Sequence, residues 1–198
     1  MLKLAGEHIE GQMADHIAQL DAHTKNLFEQ VAVSQYLAPL PTENDSTSST
    51  ITANTIYSGL FPVLRNMTLD RILVEVVTAA ADKSCRLGIY NANAGLTPGT
   101  LVLDAGTVSV ATTGIKAITL NQALKKGYYF LSVVSDGTPT LMRPVAGWSP
   151  LGMFSSSLSL FYDGYYASLA YGTLPATHPA ATINYTNNFV YYRVATND

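Results

Sequence analysis

Residues 86–106, RLGIYNANAGLTPGTLVLDAG, carry the pattern that decides the fold class. Cys85, Leu87 and Ile89 alternate with Arg86, Gly88 and Tyr90, the period-two arrangement of a strand with one buried face. Gly95, Pro98 and Gly99 then break the pattern before Leu101, Val102 and Leu103 resume it. The stretch predicts two strands of a β-sandwich joined by a loop marked with glycine and proline.

Working outward, the alternation continues on both sides. Ile72, Val74 and Val76 alternate with Leu73, Glu75 and Val77, and Val108 and Val110 with Thr107 and Ser109. Ile118 and Leu120 follow Gly114, and Tyr128 to Val134 reads as a long strand. Many short strands separated by frequent turn signals, with no helical period after Ile51, predict a mainly β protein. The expected architecture is a jelly-roll-like antiparallel β-sandwich with an N-terminal α-helix.

The helix is expected within residues 7–33, which contain no proline and place Ile9, Met13, His16, Leu20, His23 and Leu27 at spacings of 4, 3, 4, 3 and 4. Such a heptad stripe lays one narrow face against copies of itself or against a body domain. A stripe of about three heptads is marginal alone, so a partner surface is expected to support it. Pro39 and Pro41 stop the helix, and TENDSTSST at 42–50 has the composition of a flexible or extended linker. The chain thus divides into residues 1–38, a helical attachment or oligomerisation segment; 39–50, a Pro/Ser/Thr-rich linker; and 51–198, a β-sandwich domain with a Tyr-rich C-terminal part.

Of the 198 residues, 47% are hydrophobic and only 13% charged, about half the share usual in soluble domains. A surface so poor in charge suits subunit or sugar contacts. The net charge of −3 lacks the basic footprint of a nucleic-acid-binding protein. No apolar run approaches the ~18 residues of a membrane span, and Lys3, Glu7, Glu10 and Asp15 exclude an apolar signal-peptide core. Cys85 is the only cysteine, so neither an internal disulfide nor a thiolate zinc site can form. Within a strand it reads as a small buried hydrophobe.

Residues 143–198 hold four charged groups and eleven aromatics. Trp148, Tyr162, Tyr165, Tyr166 and Tyr171 form the candidate contact patch, which would serve either as a subunit interface or as a platform for stacking on glycan rings. In a parallel trimer His16 and His23 would form two rings of imidazoles, able to take a metal or an anion or simply to hydrogen-bond Asp15, Asp21 or backbone. No metal site and no cofactor is assigned. Catalysis finds little support: there is no G-x-S-x-G elbow, His178 stands alone in a Pro-flanked loop, and Asp104, Asp136 and Asp163 lie in turn-like sequence.

With these elements in order, residues 71–137 resemble the β-sandwich module of tail-fibre, head-fibre and decoration proteins of tailed bacteriophages. The features are an alternating strand, "GIY", the Pro98–Gly99 turn with its following strand, "AGTV", and the "GYYFLSVVSDG" strand at 127–137. LPATHPAATINYTNNFVYYRV at 174–194 is similar to the closing loop and last strand of such modules. DAHTKNLFE at 21–29 resembles histidine-containing segments near the attachment end of fibre and spike proteins. The resemblance implies a non-catalytic virion structural protein. It would be a homotrimer on the capsid surface or a tail appendage, contacting the major capsid protein or other virion proteins. Without repeats or an extended shaft, a capsid decoration or cement protein, head spike or adaptor is favoured. The alternative is a receptor-binding tail-fibre or spike module that takes a host-surface glycan.

Overall fold

The structure, a computed structural model, describes residues 34–39, 46–144, 164–184 and 188–197. The expected N-terminal helix lies outside them. The described residues form twelve strands and no helix: β1 (Tyr36–Leu37), β2 (Ser46–Thr50), β3 (Thr55–Val63), β4 (Met67–Thr78), β5 (Ser84–Ala92), β6 (Pro98–Ser109), β7 (Gly114–Leu124), β8 (Gly127–Ser135), β9 (Thr140–Pro144), β10 (Gly164–Ser168), β11 (Thr182–Asn184) and β12 (Tyr191–Asn197). Every strand pairing is antiparallel.

The strands make two six-stranded sheets. One, the β4 sheet, runs β1-β12-β4-β9-β2, with β7 on the remaining edge of β4. Leu73 pairs with both Tyr191 and Ala117, and Val76 with both Gly114 and Leu141. β12 and β9 therefore share one edge of β4 end to end, and β7 fills the other. The second, the β8 sheet, runs β11-β10-β3-β8-β5-β6. Ser46–Thr50, within the span read as a linker, forms β2 along β9. Its hydroxyl-bearing residues suit an edge, where Thr50 and Thr140 join their hydroxyls at 2.8 Å.

Between the sheets lies the main core. Leu69, Ile72, Val74, Leu141 and Val194 of the β4 sheet and Cys85, Leu87, Ile89 and Val133 of the β8 sheet are fully buried. Phe61 meets Tyr192 across the gap with ring centroids 4.5 Å apart. Each such aliphatic or aromatic side chain contributes about 1.5–3 kcal/mol by leaving water.

The β5–β6 hairpin matches the two strands expected in residues 86–106, and β6 runs on through Ser109. Its loop closes by the Asn93 N–H donating to the Thr97 carbonyl at 2.8 Å. Farther along, Leu87 pairs with Gly106 and Gly88 with Asp104, leaving Ala105 as an extra residue in a β-bulge. Gly106 has φ +98°, a conformation that side chains oppose. The kink aims Asp104 at Arg86, whose Nε donates to both carboxylate oxygens at 2.7 and 2.9 Å.

In one respect β5 departs from the one-sided pattern: Gly88 and Tyr90 are buried as well as Leu87 and Ile89. The cover is a strap, residues 169–181, that crosses the outer face of the β8 sheet between β10 and β11. Leu169 and Tyr171 donate their N–H groups to the backbone and side-chain oxygens of Asn54, both at 2.9 Å, and Leu174 donates to Asp104 Oδ2 at 3.1 Å. Leu101 N–H bonds Ala176 O and His178 N–H bonds Gly99 O, each at 2.9 Å. Beneath the strap Ile56, Leu60, Tyr90, Phe130, Val134, Tyr165, Ala167 and Leu174 form a second apolar cluster. A methyl group on Gly88 would stand 2.7 Å from the Leu103 carbonyl oxygen and collide with Leu174. Gly88→Ala is thus expected to cost about 1–3 kcal/mol. Thermal unfolding followed by circular dichroism should show a midpoint lower by several degrees, and an unchanged midpoint would contradict this seating of the strap.

Candidate interaction surface

The outer face of the β4 sheet carries apolar groups at positions that point away from the main core. Leu73 and Glu75 alternate with the core residues Ile72, Val74 and Val76, and the register sets Tyr191 beside Leu73 and Ile115 beside Glu75. With Tyr36 and Met142 these residues line a groove of about 240 Å³. Leu73 forms its floor at 2% exposure, whereas Ile115 is 50% and Tyr36 48% exposed. Four of the six are aliphatic or aromatic groups drawn from four different strands, so the patch depends on the sheet being assembled.

One end of this face is charged. Arg193 grips Asp70 with two hydrogen bonds, Nε to Oδ1 at 2.9 Å and Nη2 to Oδ2 at 2.6 Å, the bidentate geometry that guanidinium favours. Its guanidinium carbon stands 5.9 Å from the centroid of the Tyr36 ring, a cation–π placement. The Arg193 hydrogen bond is the main reason that the Asp70 carboxyl titrates below its ordinary value. At the other end Glu75 forms no ion pair among the described residues. Burial, and then the Glu75 charge, push the Tyr191 phenol up to about 12. The face therefore offers an apolar floor, one carboxylate without a cationic partner, and a locked ion pair. Among the described residues that line it there is no nucleophile–base pair.

The residues expected to act from sequence are distributed differently. Ile9, Met13, His16, Leu20, His23, Leu27, Trp148, Tyr162 and Asp163 lie outside the described residues. Tyr165 is buried in the second cluster, edge-on to Phe130 with centroids 5.6 Å apart. Tyr166, its neighbour on β10, is 37% exposed. Tyr171 is half-buried in the strap, where burial foremost, against an opposing hydrogen bond with Ser84, raises its phenol. Asp136 accepts the Ser84 N–H at 2.7 Å. Cys85 is buried, and desolvation pushes its thiol up to about 12, the condition of an inert thiol.

His178 sits under the strap. Its Nε2 is 2.9 Å from Ser58 Oγ, which is 2.7 Å from Ser132 Oγ, while its Nδ1 lies 2.8 Å from the Pro179 carbonyl oxygen. A serine–histidine contact is the first half of a catalytic triad, yet here a carbonyl stands where an orienting carboxylate would be. Ser58 and Ser132 are fully buried and His178 nearly so, so no substrate carbonyl can approach Ser58 in this arrangement. Among the described residues no group of three or more His, Cys, Asp or Glu could hold a metal ion. Sequence reasoning overlooked the groove. Its signal was Leu73, an apolar residue on the parity that a half-exposed strand reserves for polar ones.

Asp104 joins the hairpin to the strap. Burial would raise its carboxyl, but the Arg86 hydrogen bond, the Leu174 and Gly106 N–H groups and the Arg86 charge together hold it below the ordinary value. A folded-state value below the unfolded one stabilises the protein above about pH 4, and this contribution is lost as pH falls through the folded value. Asp104→Asn should lower stability by about 1–2 kcal/mol near neutrality, and the gap to the parent should narrow in acid. Urea unfolding at pH 6 and pH 3 checks this; a gap that stays constant would show that Asp104 does not act through its charge. No protein-family model and no curated protein matches the chain.

Proposed function

We propose that the chain is a non-catalytic structural protein of a tailed-phage virion. It works as a homotrimer, as a capsid decoration or cement protein, head spike or adaptor, and the outer face of the β4 sheet is one of its contacts with a second copy. The observation that carries the reading is the apolar groove of Tyr36, Leu73, Ile115, Met142 and Tyr191 on a chain in which only 13% of residues are charged. Leaving such a face in water is unfavourable, and a subunit contact removes it. A glycan would require several directional polar partners, and this groove offers Glu75 and tyrosine hydroxyls alone.

A jelly-roll reading of the two sheets is supported by the strand order. Numbering β2 to β9 as one to eight, the β4 sheet contains the order one-eight-three-six and the β8 sheet two-seven-four-five. That winding is the pattern of an eight-stranded jelly roll, an architecture used by viral capsid and lectin domains. β1 and β12 then extend the first sheet, and β10 and β11 the second.

Light scattering of the purified full chain is expected to return the mass of three copies. Ile115→Asp, which places a carboxylate beside Glu75, should shift that mass toward one copy without altering the circular dichroism spectrum. A monomeric parent overturns the assembly reading, and an Ile115→Asp trimer overturns the assignment of this face. Trimers that bind host cells only when Tyr166 is intact, tested with Tyr166→Ala, would instead favour the receptor-binding alternative.

A further inference from the structure

The strap contains one group whose state can change under ordinary conditions. The Pro179 carbonyl can only accept a hydrogen bond, so Nδ1 of His178 carries a proton. In the neutral ring Nε2 then accepts from the Ser58 hydroxyl, and Ser58 accepts from Ser132. Protonation at Nε2 turns that acceptor into a donor. Ser58 must then accept from the ring, and one of the two hydroxyl hydrogens of Ser58 and Ser132 must find another acceptor.

Among the described residues the surroundings provide no counterion. β3 presents Ser58 and β8 Ser132; β5 presents the Tyr90 ring, edge-on with centroids 5.0 Å apart; β6 presents the backbone of Gly99; and Tyr165 of β10 belongs to the same apolar cluster. Asp104, which holds the strap at Leu174, is engaged by Arg86, and the two offset each other. A positive charge on His178 would stand buried and unpaired, which is costly.

We infer that the strap, residues 169–181, is acid-released: protonation of His178 loosens the segment from the β8 sheet and uncovers the apolar cluster beneath. Burial already holds the imidazole below its usual 6.5, with the Pro179 bond opposing. The sign follows from linkage. The released histidine takes up its proton near pH 6.5 and the docked one only at lower pH. Docking is therefore fully favoured above 6.5 and weakens as pH falls toward the docked value, by at most about tenfold per pH unit. The device does not depend on what the protein assembles with.

Amide hydrogen exchange of the full chain, followed by NMR between pH 7.5 and 5, tests it. After correction for intrinsic exchange, the opening constants at Leu101 and His178, whose N–H groups span the strap and β6, should rise by up to about tenfold per pH unit below 6.5. Those of Ile72 and Val74 in β4 should stay level, and His178→Gln should flatten the response at the strap. An identical pH response in the strap and β4, or one that survives His178→Gln, overturns the inference. Direct titration of the imidazole in the parent protein provides a second reading if that variant fails to fold: a value at or above 6.5 also overturns it.

Discussion

Gly88 lets the β8 sheet be buried on both faces. Its missing side chain leaves room for Leu174, and Leu174 is the residue through which the strap reaches Asp104. Asp104 is in turn aimed by the bulge at Gly106 and engaged by Arg86. Backbone conformation, an ion pair and an apolar contact thus converge on one short region of the hairpin. Without that close approach the strap would stand off the sheet, and Tyr90, Phe130 and Leu60 would face water.

The two sheets are consequently unlike. The β8 sheet has an apolar cluster on each side, one shared with the β4 sheet and one under the strap. Among the described residues the β4 sheet has the shared core alone, and its outer face keeps Ile115 and Tyr36 about half exposed. In a chain with so few charges, solubility cannot rest on a dense ionic surface, and an apolar sheet face is its weakest point. This imbalance is the physical basis for the assembly role proposed above.

Much of the hairpin was legible in the sequence because its information is local. Cys85, Leu87 and Ile89 alternate and all three are buried, and glycine and proline mark the turn where β5 ends. Burial of Tyr90 was not legible, because its cover comes from Pro175 and Leu174, and the Tyr90–Pro175 pair is 85 residues apart in sequence. Periodicity reports which face a residue takes, and says nothing of a distant loop that lies on that face. The Ser/Thr run before Thr50 has loop composition, and it becomes a strand only because β9 offers an open edge to pair with. His178 read as a turn residue, and its partnership with Ser58 spans 120 positions. Of the expected contact tyrosines, 165 and 166 are adjacent, so the pleat alone sends them to opposite faces.

The position of β12 has a consequence for how the chain reaches this fold. β12 lies between β1 and β4, pairing Tyr192 with both Leu37 and Ile72. On a ribosome β4, β7 and then β9 emerge first, and β9 covers only the Val76–Thr78 end of the edge that β7 leaves free, so the Met67–Leu73 stretch of that edge has no partner strand until residues 191–197 have been made. A long strand with an unfilled edge is a template for the wrong partner. Closure of the β4 sheet is therefore a late, long-range event. From the end of β7 at Leu124 to the start of β12 at Tyr191 the central strand is incompletely paired, and chains that stop short of β12 would keep that edge open to one another.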